Sequence, residues 1–141
     1  MSRANRLVTI GVGMFLLAAV ATAAAAAQDH VVRVYYFHTT QRCASCKKIE
    51  ALSAEAIRAG FERELGDGRL EWQVVNVDDP QNHHFTADYQ LYTKSVIVVD
   101  RANGQQVRWK NLPKVWELLQ DEKGFRLYVQ SEVRAYLEKQ L

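Results

Sequence analysis

Only two cysteines and two prolines occur in the 141 residues, and no acidic residue precedes Asp29. Two cysteines exclude a disulfide-stapled miniprotein, and with it any site built on four thiolates, whether zinc or iron–sulfur. So little proline excludes a collagen-like or proline-rich extended chain. An excess of one charge is missing as well. The chain carries 18 Lys and Arg against 16 Asp and Glu; two of the basic residues, Arg3 and Arg6, belong to an apolar opening, so the remainder balances at 16 against 16. A nucleic-acid binder draws most of its affinity from counterion release by a basic face. A balanced chain lacks that face, and no nucleic-acid partner is expected.

The opening is itself defined by a lack. Residues 7–27 contain no charge, follow Arg3 and Arg6, and end in Ala25-Ala26-Ala27 before Gln28 and Asp29. A basic start, an apolar stretch and small residues at a cut site make a secretory signal. Residues 1–27 are therefore expected to be a signal peptide removed near Gln28. The alternative is a retained N-terminal membrane anchor, because a helix of that length reaches about 31 Å and spans a bilayer. Either way the domain of residues 28–141 faces a periplasmic or other extracytoplasmic space, with membrane contact only through an uncleaved N-terminus. No cysteine follows the apolar run directly, which excludes a lipoprotein anchor. What remains is enough chain for one hydrophobic core and too little for two.

Residues 31–37, Val-Val-Arg-Val-Tyr-Tyr-Phe, are β-branched and aromatic and read as a buried strand. Past Cys46, the residues Ile49, Leu52, Ala56, Ile57, Phe61 and Leu65 recur at helical spacing with charges between them, which predicts an amphipathic helix of about five turns ended by Gly66-Asp67-Gly68. Residues 70–77 form the second strand. Asp79 before Pro80 predicts the N-cap and first turn of a helix that ends near Tyr89. Residues 95–99 make a third strand, and Asn103-Gly104 marks a tight hairpin into a fourth over residues 105–109. A shorter helix over residues 113–119 and a C-terminal helix striped by Phe125, Tyr128, Val129, Val133, Tyr136 and Leu137 complete the chain. The order is β-α-β-α-β-β-α, an α/β fold with a central mixed sheet flanked by helices. Strands joined through helices are expected to pair in parallel by right-handed crossovers, and the hairpin to add an antiparallel edge.

Cys43-Ala44-Ser45-Cys46 lies between the first strand and the first helix. Cys43 then falls near the helix N-cap, where free backbone N–H groups and the helix dipole favour a thiolate. Cys46, one turn inward, is close enough to close a small disulfide. Such a pair passes two electrons to or from a partner disulfide through a mixed disulfide. A purely stabilising bridge is the less attractive reading, because closing so short a loop removes little entropy. A metal or metalloid site on the same thiols is a further alternative.

The strand, Cys-x-x-Cys, helix order and the closing β-β-α unit resemble the thioredoxin-like superfamily over nearly all of residues 31–141. More narrowly, YFHTTQRC (residues 36–43), YQLYTKS (89–95) and RWKNL (108–112) are similar to an exported bacterial family described as nitrophenyl compound nitroreductase subunit, ArsF type. The resemblance implies a thiol-disulfide oxidoreductase that exchanges electrons with a protein disulfide or thiol partner and is recharged by a membrane thiol transporter. Nothing resembles a site for a flavin or a metal cluster, so no cofactor is expected. The alternatives are a metal or metalloid binding module on Cys43, Cys46 and His38, and an accessory redox subunit of a nitroreductase or arsenic-related system.

Against ordinary thioredoxins the chain departs at four places. Arg42 replaces the tryptophan before the first cysteine, Ala44-Ser45 replaces Gly-Pro, and Phe37 stands at the buried acid. Ser95 stands where a cis-proline faces the cysteines; without proline, the Lys94–Ser95 bond is expected to be trans, with the serine hydroxyl facing the sulfurs. Proton exchange with Cys46 then falls to water or to Glu50 on the next turn. Arg42 is a candidate to stabilise the Cys43 thiolate or steer an acidic partner, and His38 a candidate proton donor. Lys47 and Lys48 read as a solvated helix start. His83-His84 reads as a solvated pair, because neighbours on a helix diverge by about 100°. Trp72, Trp109 and Trp116 read as core or its rim.

Overall fold

The computed structural model describes residues 30–139, and the expected signal or anchor over residues 1–27 lies outside them. Strand β1, His30–His38, is followed by helix α1, Ala44–Gly60, a short helix α2, Glu62–Gly66, and strand β2, Leu70–Asn76. A 3-10 turn, Pro80–Asn82, and helix α3, His84–Asp88, lead to strands β3, Ser95–Ala102, and β4, Gln105–Asn111. Two further 3-10 turns, Pro113–Val115 and Glu117–Gln120, precede helix α4, Glu122–Glu138. The sheet order is β2-β1-β3-β4. This β-α-β-α-β-β-α connectivity around a four-stranded mixed sheet is that of the thioredoxin fold.

Alternation along β1 sorts its residues onto two faces. Val32, Val34 and Tyr36 pack with Ile49, Leu52, Ile57 and Phe61 of the α1 side and with Phe125, Val129 and Val133 of α4. Tyr35 and Phe37 turn the other way, onto Ile97, Val99 and Tyr89, with Phe85 and Trp109 at the rim. At the far end of β1 from the cysteines, the buried Asp100 carboxylate accepts from Arg108 Nε at 2.8 Å and pairs with His30, tying β4 and the start of β1 to β3.

Three expectations need correction. Only β1 and β2 pair in parallel; β3 runs antiparallel to β1. The five residues of α3 rise about 7.5 Å, whereas recrossing a seven-residue strand takes about 23 Å, so the connection stays at one end of the sheet. The predicted five-turn helix is also interrupted. Phe61 leaves helical geometry (φ −144°, ψ 38°), and Gln130 of α4 reaches across to donate to the Ala56 carbonyl at 2.9 Å. Gly60 admits that crossing, since a β-carbon there would lie 2.8 Å from Gln130 Nε2. Third, the segment at 113–119 is two 3-10 turns, the segment at 80–89 opens with a 3-10 turn before the short α3, and Asp79 sits at the N-cap position of that turn without a side-chain capping bond. The hairpin is as expected: Asn103 and Gly104 both have positive φ, 51° and 76°, the pairing a two-residue primed turn demands.

Candidate redox site

β1 ends at His38, and residues 39–43 carry the chain to the start of α1. Cys43 is the N-cap residue: its backbone is extended (φ −82°, ψ 166°) and its Sγ accepts the Cys46 N–H at 3.1 Å. Sulfur thus occupies the place usually taken by a serine or aspartate oxygen, in front of the free N–H groups of the first turn. No acidic residue lies in that turn to oppose a negative charge. Cys43 is exposed whereas Cys46 is 1% exposed, and the two are joined in a disulfide with Cα atoms 5.0 Å apart.

Behind the disulfide stands a group that sequence reasoning did not assemble. The Tyr36 hydroxyl donates to the Cys46 carbonyl at 2.7 Å. Burial pushes this phenol up to about 12; the Arg42 charge works against that shift and Glu50 with it. The phenol therefore stays protonated and remains a donor at neutral pH. Arg42 pairs with Glu50 and lies over the Tyr36 ring, 5.9 Å from its centroid. Alternation along β1 put Tyr36 on the inner face, but nothing in the sequence pointed its hydroxyl at a helix carbonyl.

The other predicted residues go to separate tasks. Arg42 and Glu50 are paired with each other. Phe37 is buried in the ring cluster on the opposite face. His38 Nδ1 lies 2.9 Å from the Thr39 carbonyl and its ring stacks on Tyr36. Among the described residues, with Cys43 and Cys46 joined in the disulfide, no three His, Cys, Asp or Glu side chains gather in a way that could hold a metal ion. His83 Nε2 turns to the Asp78 carbonyl at 3.0 Å, while His84 meets Asp88 at 2.7 Å. Lys48 reaches Glu122 at 3.1 Å, and Lys47 is exposed.

β3 begins at the same end of the sheet, with Ser95 opposite Phe37 in register. The Lys94–Ser95 bond is trans, as are all peptide bonds among the described residues. Ser95 is buried and its hydroxyl donates to the Thr93 carbonyl at 2.9 Å. The proton expected to face the sulfurs is thus used locally. Trp116 Nε1 donates to the Lys94 carbonyl at 3.0 Å and pins the segment from outside. A buried indole N–H needs an acceptor, a signal that could have placed Trp116 near a loop. Asp78 accepts the Thr40 N–H at 2.7 Å and so anchors the loop before Cys43 to the end of β2. A cavity of about 410 Å³ opens beside this loop, lined by His38, Thr39, Asp78, His83, Lys94 and the 95% exposed Tyr92.

No family model and no curated protein matches the chain. Among solved structures it is similar to the thioredoxin of Fasciola hepatica, 20% identical over 75% of this chain and 81% of that one, with a TM-score of 0.43. It is also similar to the thioredoxin of Trypanosoma brucei brucei, 14% identical over 74% and 76% with a TM-score of 0.42. A malarial protein is 14% identical over 69% of this chain and 98% of that one, with a TM-score of 0.41.

Proposed function

We propose that the protein is an extracytoplasmic thiol-disulfide oxidoreductase in which Cys43 is the nucleophile and Cys46 the resolving thiol. The observation that carries this reading is the asymmetry of the pair: an exposed sulfur at a helix N-cap, bonded to a buried sulfur one turn inward. In the reduced protein the N–H groups and dipole of α1 stabilise a Cys43 thiolate. That thiolate attacks one sulfur of a partner disulfide, and the second partner sulfur leaves as a thiolate and takes a proton from solvent. Cys46 loses its proton and attacks Cys43 Sγ, which closes the Cys43–Cys46 bridge and releases the first partner sulfur. Two electrons move from the protein to the partner; the reverse sequence oxidises a partner dithiol. No flavin or metal enters either direction.

Export rests on the charge-free run after Arg3 and Arg6, and a membrane thiol transporter is the kind of partner that keeps such a pair reduced outside the cytoplasm. The narrower identification with the ArsF-type exported family rests on residues 36–43, 89–95 and 108–112 alone. The test is to reduce the purified protein and treat it briefly with a thiol alkylator at neutral pH, mapping the label by mass spectrometry. Cys43 should be modified first and Cys46→Ser should accumulate a mixed disulfide with a model disulfide protein. Preferential labelling of Cys46, or a Cys43→Ser variant that still reduces the model disulfide, would overturn the assignment. Metal analysis of the same reduced preparation separates the metal-binding alternative.

A further inference from the structure

Strand β2 lies at one edge of the sheet and has, among the described residues, a single neighbour. Its backbone bonds to β1 run through odd-numbered residues, as the Val32 N–H to Arg69 carbonyl (2.9 Å) and Val77 N–H to His38 carbonyl (2.8 Å) bonds mark at the two ends. In a parallel ladder the alternate residues then point away. Leu70, Trp72, Val74 and Asn76 therefore present their N–H and C=O groups outward. The opposite edge, β4, is defended by a bulge in its pairing at Asp100/Arg101 and by Arg108 and Lys110. β2 has neither bulge, proline nor lysine, and its Val74 is 41% exposed. Beside it an open groove of about 710 Å³ runs between Trp72 and Val74 on the strand and Ala51 and Ala54 on α1.

We propose that this edge pairs with the β2 edge of a second copy, antiparallel about a two-fold axis at Gln73, so that two sheets become one. The strand is complementary to itself in this register. Leu70 faces the partner's Asn76 and Trp72 faces the partner's Val74, so all four outward residues meet outward residues in hydrogen-bonded pairs. Four pairs of two bonds each give about eight bonds. The Trp72–Val74 pair sets an aromatic ring on a β-branched side chain and covers the exposed valine twice over. Glu71 falls opposite Val75, so the only charge on the strand does not meet its own copy. A register shifted by two residues along the partner loses one of these pairs and stacks Trp72 on Trp72 or Val74 on Val74. The groove rim carries Lys47 and Arg58 together with Glu50 and Glu55, both signs, as a surface that meets itself requires.

The purified exported protein should sediment as a dimer. Val74→Pro removes an outward N–H that β1 does not use, and should halve the mass while leaving the far-UV spectrum intact. In a Cys43→Ser, Cys46→Ser background, Gln73→Cys should cross-link to itself under mild oxidant, because the two positions face each other at a spacing that a disulfide spans. Glu71→Cys, opposite Val75, should not. A monomer at every accessible concentration, or a dimer that survives Val74→Pro, overturns the proposal. So does equal cross-linking of Gln73→Cys and Glu71→Cys. Concentration-independent protection of the Trp72 and Val74 amides in hydrogen exchange would also overturn it, because a segment of the same chain would then occupy the edge.

Discussion

The two faces of the sheet solve the same burial problem by different means. Beneath α1 and α4 the core is mainly aliphatic, built from Val32, Val34, Ile49, Ile57, Val96, Val98, Val129 and Val133, and two helices of 17 residues cover it. On the opposite face a 3-10 turn and the five-residue α3 must suffice. There the burial comes from rings: Tyr35, Phe37, Phe85, Tyr89 and Trp109 lie at centroid separations between 5.0 and 6.0 Å. Long helices supply many small contacts, whereas a short cover has to use side chains that each bury about 150–250 Å². Cys46 sits on the thick face, where α1 is held along its length. The loop that leads into the exposed Cys43 is tethered through Thr40 to Asp78, at the end of β2.

This contrast is open to attack by truncating one ring on each side. Phe61→Ala, in the aliphatic core, should cost about 3–5 kcal/mol, read from the urea midpoint of the oxidised protein. Phe85→Ala, half-buried at the rim of the ring cluster, should cost about 1–2 kcal/mol. Equal losses would mean that the thin face carries as much of the stability as the thick one. A smaller effect is expected from Tyr36→Phe, which leaves the packing but removes the donor to the Cys46 carbonyl. The loss should be about 1 kcal/mol, and the rate of Cys43 alkylation should change with it if the phenol positions the first turn. An unchanged rate would make Tyr36 a packing residue only.

The smallest effect belongs to the thin face and is a pH dependence. The Thr40 N–H, then the Thr40 side chain, hold the exposed Asp78 carboxyl below its usual range, with His83 and Lys94 acting in the same direction. Because the folded value is depressed, the tether contributes above about pH 4 and is lost as pH falls through the folded value. Unfolding midpoints of the protein and of Asp78→Asn should differ at pH 7 and converge once the pH falls below the folded value. A constant gap across that range would show that the ionised carboxylate is not what holds the loop.

Some of this is legible in the sequence. The hairpin at Asn103-Gly104 follows from the positive φ that two successive residues must adopt. The N-cap at Cys43 follows from its place between a strand and a helical stripe. Helical periodicity, by contrast, ran unbroken from Ile49 to Leu65, while the helix turns aside at Phe61. The pattern of apolar residues records which face is buried, and Gln130 of α4, 74 residues further along, claims the Ala56 carbonyl. The site shows the same division. Cys43 and Cys46 were evident from spacing, but the Tyr36 and Trp116 bonds join residues whose neighbourhood is created by packing.

What the sequence determined by itself is local: strand and helix patterning, the primed turn and a sulfur set in front of a helix N-terminus. Each depends on dihedral preference or on side-chain period within a few residues. The antiparallel placement of β3, the Arg42–Glu50 pair, and the Trp116 anchor on Lys94 were decided only by the tertiary structure. Those outcomes depend on the reach of α3 and on which polar groups burial leaves facing one another, and neither quantity is a property of any single segment.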